Sequence, residues 1–147
     1  MEIAIRTLGL ADHGVLMHVA EDVFDHEVEP DLAREFLEDP RHHIVVAVDD
    51  GLVVGFVSAV HYVHPDKRPQ LWINEVSVAP THRRRGLAQS MLRAVFDVGR
   101  AHNCTEAWVL TDRMNPMATA LYVSVGGREG ADDGSPNSAL LGYSFDL

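Results

Sequence analysis

The chain carries a single cysteine, Cys104, in 147 residues, so no disulfide can form within it and nothing points to an oxidising compartment. No apolar run approaches the roughly 20 residues that span a bilayer. The opening Met1-Glu2-Ile3-Ala4-Ile5-Arg6 has no signal-peptide pattern. A soluble, cytoplasmic protein with no membrane partner is the expectation. Basic residues are also few: 12 Lys and Arg against 22 Asp and Glu leave a net charge of −10. A general nucleic-acid binder needs a basic face to neutralise phosphates, so no nucleic-acid partner is expected. Repeats, low-complexity tracts and internal linkers are missing from the sequence, and one domain over residues 1–147 is expected. A chain of that length buries about two-thirds of the surface it exposes when unfolded.

The charges that are present are unevenly spread. Nine carboxylates and one base, Arg34, lie between Glu21 and Asp39, while His82, Arg83, Arg84 and Arg85 form a basic cluster. That distribution suggests an anion site in one place and a cation-attracting surface in another. A solvated helix face would account for the acidic run equally well.

The most informative stretch runs from Val76 to Leu92. Val76 and Val78 alternate as strand residues do, and Pro80, lacking an N–H, ends the ladder. From Leu87 the apolar spacing turns helical: Leu87, Met91 and Val95 recur every fourth residue, as do Ala88, Leu92 and Phe96. Three arginines and Gly86 separate strand from helix. A helix N-terminus presents unpaired N–H groups and the positive end of a dipole, and Gly86 and Ala88 leave the backbone open to a bulky anion.

Elsewhere the patterns predict a strand over residues 3–7, a helix over 11–23, and a second short helix from Pro30 to Leu37 ended by Asp39-Pro40. Strands over 43–48 and 52–61 flank the hairpin signal Asp49-Asp50-Gly51. A strand over 71–78 precedes the basic turn, the next helix reaches about His102, and a strand covers 106–111. Asn115-Pro116 opens a helix that Gly126-Gly127 stops. Residues 128–137 are turn-rich, and 139–147 form the last strand. Early hairpins with late crossover helices imply an α/β (α+β) fold, a mixed sheet covered by helices. The last strand has no evident cover, which would allow a homodimer through that edge.

The strand Glu75-Val76-Ser77-Val78, then Pro80, then Arg83-Arg84-Arg85-Gly86-Leu87-Ala88, match the R/Q-x-x-G-x-G/A signature of the GNAT superfamily of acyl-CoA-dependent N-acetyltransferases. Asn115-Pro116, Ala120-Leu121-Tyr122 and Gly126-Gly127 match the second half of that family's core. Within the superfamily the chain most resembles the type I aminoglycoside 3-N-acetyltransferases, through Asn74-Glu75-Val76-Ser77-Val78, the turn His82-Arg83-Arg84-Arg85-Gly86 and the acidic N-terminal region. The resemblance implies a mostly antiparallel, twisted sheet flanked by helices on both faces. It also implies acetyl-CoA as co-substrate, with no metal.

On that resemblance, backbone N–H groups from Arg84 through Gly86 and Leu87 to Ala88 would hold the pyrophosphate, with Arg83, Arg84 and Arg85 adding charge. Val76 and Val78 would offer backbone groups to the pantetheine arm, admitted by a break between their strand and the next. Asn115 would touch the pantetheine or the phosphate end. Tyr122 would be the acid, because a phenol with a pKa near 10 can protonate a thiolate leaving group of comparable basicity. A core tyrosine is the other reading.

Glu75 is the candidate base. A carboxylate in an apolar strand is costly unless it is used or paired, and burial there would raise its pKa towards neutrality. An ion pair with a neighbouring strand is the alternative. His61 and His64 are secondary candidates, and the spacing His-Tyr-x-His shows no third metal ligand. Cys104 lies away from the motif, so direct attack within a ternary complex is expected rather than a covalent carrier.

The acceptor implied is a polycationic small molecule, an aminoglycoside at its 3-amino group. Glu21, Asp22, Asp25, Glu27 and Glu29 are on hand to bind ammonium groups, and family topology brings Glu129, Asp132 and Asp133 near the site. Tyr62 and Trp72 could stack on a sugar or belong to the core. The same acidity suits a polyamine or a protein amine. A non-catalytic acyl-CoA-binding module is a reading of a different class, and the presence of both Glu75 and Tyr122 argues against it.

Overall fold

The computed structural model describes residues 2–130 and 139–147. Among these, seven strands form one sheet: β1 (Ala4–Thr7), β2 (His42–Asp49), β3 (Leu52–Tyr62), β4 (Gln70–Val78), β5 (Glu106–Asp112), β6 (Arg128–Glu129) and β7 (Leu140–Asp146). The helices are α1 (Pro30–Glu38), α2 (Leu87–Ala101) and α3 (Pro116–Ser124), with 3-10 helices over Leu10–Met17 and Pro80–His82. Strand order is β1-β2-β3-β4-β5-β7-β6. Only β4 and β5 run parallel, joined by the α2 crossover; the other neighbours are antiparallel. This is the mixed sheet that the strand and helix patterns predict, mostly antiparallel as the family resemblance implies. No helix among the described residues is long and apolar enough to cross a membrane.

The valine-rich β2 and β3 are buried on both faces, which their continuous apolar runs require. The turn between them takes positive φ at Asp50 and Gly51, 50° and 80°, as a two-residue primed turn demands. Helices cover both faces. A Cβ on Gly55 would lie 3.0 Å from the Met91 side chain of α2. The next residue, Phe56, points the other way and stacks on Phe24 at 4.0 Å. Met91, Leu92, Val95 and Phe96 supply the buried stripe of α2.

Two expectations change. The helix expected over 11–23 is a 3-10 helix that ends at Met17. Beyond it the backbone bonds to β3 instead: Val53 N–H donates to the His18 carbonyl at 2.8 Å, and Ala20 N–H donates to the Val53 carbonyl at 2.9 Å. Those groups cannot also close helical turns. At the other end, β7 lies between β5 and β6, so it is not the uncovered strand from which a homodimer was expected. Residues 128 and 129, in a segment read as turn, pair with β7 as β6. Gly127 permits this corner, since a Cβ there would sit 2.6 Å from the Tyr122 carbonyl oxygen and 2.8 Å from the Phe145 ring. It seats α3 directly on β7.

Candidate active site

Strands β4 and β5 pair only from Gln70 to Ile73, opposite Glu106 to Val109. β4 continues to Val78 with β3 alone beside it. The cause lies in the β3–β4 register: Ser58 faces Glu75 and Ala59 faces Ile73, so Asn74 is an extra residue. Such a bulge bends a strand and increases its twist. It falls where β4 leaves β5. The β5-facing side of Val76 and Val78 therefore has no strand partner among the described residues, and the break expected from the family resemblance is present.

At the end of β4 the chain makes the arginine turn. Arg84 and Gly86 adopt left-handed φ of 64° and 73°. Gly86 is the N-cap of α2 and no side chain caps it. The first helical bond runs from Ser90 N–H to the Gly86 carbonyl at 3.0 Å. The N–H groups of Leu87, Ala88 and Gln89 thus lack helical partners and crown a positive dipole end. Arg83 Nε donates to the Val78 carbonyl at 3.4 Å, tying the turn to its strand. His82 Nε2 donates to Asp49 at 2.7 Å, anchoring the turn on the β2–β3 hairpin. Arg84 and Arg85 are exposed, with no ion pair among the described residues. Backbone donors beside exposed cations suit a diphosphate.

On the opposite face, away from α2, a pocket of about 310 Å³ is lined by Phe24, Asp25, Glu27, Phe56, Ser58 and Glu75. It shares Asp25 and Glu27 with a cleft of about 640 Å³ that adds Glu21 and Asp22. The first part of the acidic run, Glu21 to Glu29, is therefore a pocket wall, because the segment after Met17 is held against β3. Glu75 is exposed at the pocket rather than buried in the strand, a correction to the burial expected above. The bulge at Asn74 and the parting of β4 from β5 open that position. Desolvation by the pocket, and then the charge of Asp25, still raise the Glu75 carboxyl above its ordinary pKa. Glu75 has no ion-pair partner among the described residues, so the ion-pair alternative finds no support.

Tyr122 is only 5% exposed and packs on the α2 face, its ring 5.7 Å from Tyr143 and 6.4 Å from Phe145. Phe145 in turn meets Phe96 of α2. Burial raises the pKa of the Tyr122 hydroxyl, which makes no hydrogen bond among the described residues. Tyr122 and Glu75 thus flank the sheet from opposite faces. Asn115 caps α3, its Oδ1 accepting from Ala118 N–H at 3.1 Å. Cys104 is buried, and burial pushes its thiol pKa up, as suits an unreactive side chain.

The remaining candidates are not gathered here. Glu129 lies on the edge strand β6, 3.6 Å from Arg113. Asp132 and Asp133 lie outside the described residues. Tyr62, Trp72 and His64 line a separate pocket of about 240 Å³ with Trp108. His61 turns to His43 and His102. The sequence reading missed Phe24, Phe56 and Ser58. Ser58 reaches the site only through its register with Glu75, for which no local sequence signal exists.

Residues 14–126 match the acetyltransferase (GNAT) family. Rat (Rattus norvegicus) N-acetyltransferase 8 is 31% identical over 97 residues, 65% of this chain and 44% of that protein. The L-2,4-diaminobutyric acid acetyltransferase of Nocardia farcinica is 32% identical over 87 residues, 59% of this chain and 44% of that one. The chain therefore spans under half the length of these two curated relatives. An aminoglycoside acetyltransferase from an uncultured soil metagenomic sample shares the fold, with a TM-score of 0.72 at 21% identity over 94% of this chain and 99% of that one.

Proposed function

The chain belongs to the GNAT acetyltransferase family, and from that premise we propose that it transfers acetyl from acetyl-CoA to an amine of a polycationic small molecule. One observation carries the reading. The gap between β4 and β5 lies between an uncapped, arginine-flanked helix start on one face and a carboxylate-lined pocket holding Glu75 on the other.

In this reading the N–H groups from Arg84 through Gly86 and Leu87 to Ala88 hold the diphosphate of the co-substrate, while Arg84 and Arg85 neutralise its charge. The open side of Val76 and Val78 receives the pantetheine arm as a sheet edge receives a strand, with Asn115 close to that arm. Acetyl-CoA supplies the thioester. Glu75, its carboxyl made more basic by desolvation and by Asp25, takes a proton from the acceptor ammonium, directly or through water. The freed amine attacks the acetyl carbonyl, the C–S bond of the tetrahedral adduct breaks as Tyr122 gives its proton to the departing thiolate, and the proton shed by the new amide nitrogen restores the phenol.

The acceptor we favour is an aminoglycoside at its 3-amino group. Several ammonium groups on one rigid molecule match the spread of Glu21, Asp22, Asp25 and Glu27 around the Glu75 pocket. Thiol release from acetyl-CoA should therefore be measured with aminoglycosides, spermidine, 2,4-diaminobutyrate and lysine peptides. Turnover is expected to be fastest with aminoglycosides, and faster turnover of another amine would reassign the acceptor. Acetyl-CoA binding with no turnover on any amine would overturn the enzyme in favour of a binding module. In the same assay Tyr122→Phe should lower kcat about a hundredfold, with acetyl-CoA affinity nearly unchanged; unaltered kcat would return Tyr122 to the core.

A further inference from the structure

Acetyl transfer makes no use of three histidines that the fold brings together. His43 lies on β2, His61 on β3, and His102 just past the end of α2. One ring nitrogen from each falls within 4.8 Å of the other two. Ring centroids are 5.0 Å apart for His43–His61 and 4.7 Å for each pair with His102. We propose that His43, His61 and His102 form a binding site for one divalent transition-metal ion, zinc by preference, that ties β2, β3 and α2 together.

The hydrogen bonds present the right lone pairs. His102 Nδ1 donates to the Val98 carbonyl at 3.0 Å, which leaves Nε2 as the bare nitrogen. A backbone carbonyl holding the far nitrogen is the usual support for a metal-ligating histidine. His43 Nε2 and His61 Nδ1 stand 2.8 Å apart and share one proton, which an ion bound to both would displace. Nitrogens bound at about 2.0–2.1 Å in a tetrahedral zinc sphere are about 3.3 Å apart. The His43–His61 pair is closer than that and all three nitrogens lie within 4.8 Å, so modest side-chain rotation reaches it.

The ligand set decides the class of ion. Imidazole alone selects zinc, nickel, copper or cobalt over magnesium and calcium. His61 is half-buried and His102 exposed, which gives the ion an entry path and leaves a fourth position for water. The cluster lies at the far end of α2 from the arginine turn, about 22 Å by helix rise. The metal is thus a structural tie, remote from the thioester.

The test uses metal-free protein prepared with a chelator, titrated with Zn²⁺ and separately with Co²⁺, with Mg²⁺ as the comparison ion. About one Zn²⁺ should bind per chain and raise Tm, Co²⁺ should give visible ligand-field bands, and Mg²⁺ should do neither. His102→Ala, at an exposed position, and His61→Ala should each weaken zinc binding by more than about tenfold and remove the cobalt bands. Failure to bind one ion per chain, or unchanged affinity in both variants, would overturn the site and leave a hydrogen-bonded stack of histidines. None of these readouts involves acetyl transfer.

Discussion

The turn from Arg83 to Ala88 and the pocket around Glu75 flank the same gap from opposite faces of the sheet, and they are assembled in different ways. The turn is one contiguous segment whose working groups are backbone N–H donors, so its geometry follows from a strand end, a left-handed Gly86 and a helix start. The pocket joins Asp25 and Glu27 to Ser58 of β3 and Glu75 of β4, and its working groups are side chains. A diphosphate looks alike on every acyl-CoA, and backbone suffices to hold it. An amine acceptor has to be told from others, and that takes side chains whose identities can change without disturbing the strand beneath.

The comparison predicts that each region fails in its own way. The largest effect is expected at Glu75. Its pKa is raised, so the basic form accumulates only as pH climbs through that value, giving kcat/KM an acidic limb. Glu75→Gln should remove the limb and cost about a hundredfold near pH 7. The loss should shrink at alkaline pH, where the amine sheds its own proton, and a pH-independent loss would make Glu75 structural.

Next in size, replacing Arg84 and Arg85 together with Ala should weaken acetyl-CoA binding about tenfold, with acceptor KM unchanged. A change in acceptor KM instead would erase the division between the two regions. The smallest effect belongs to Asp25→Asn. It should raise the KM of a polycationic acceptor about threefold and leave acetyl-CoA affinity alone, since exposed ion pairs are weak. Because the Asp25 charge helps to raise Glu75, the acidic limb should also move to lower pH, which a pH profile of kcat/KM would detect.

Legibility divides along the same line. The β2–β3 turn, the N-cap and proline that start α3, and the strand-turn-helix around Gly86 were all readable, because each depends on residues within a few positions of one another. The nature of the 18–23 segment was not. Its apolar spacing looked helical, but pairing with Val53 took the backbone groups a helix would need. Glu75 could be picked out as a carboxylate in a strand, yet its exposure follows from the bulge at Asn74, which exists only in register with β3. The spacing of His61 and His64 pointed to each other, whereas the fold gives His61 the distant partners His43 and His102.

By itself the sequence determined the order of most elements, the family signature and the anion-ready turn, since capping, φ preference and apolar period are short-range properties of the chain. Tertiary structure alone decided which carboxylates face Glu75, where β4 parts from β5, and that three histidines meet. Those depend on strand register and on packing between segments 17 to 59 residues apart, as in Ser58 facing Glu75 and His43 meeting His102.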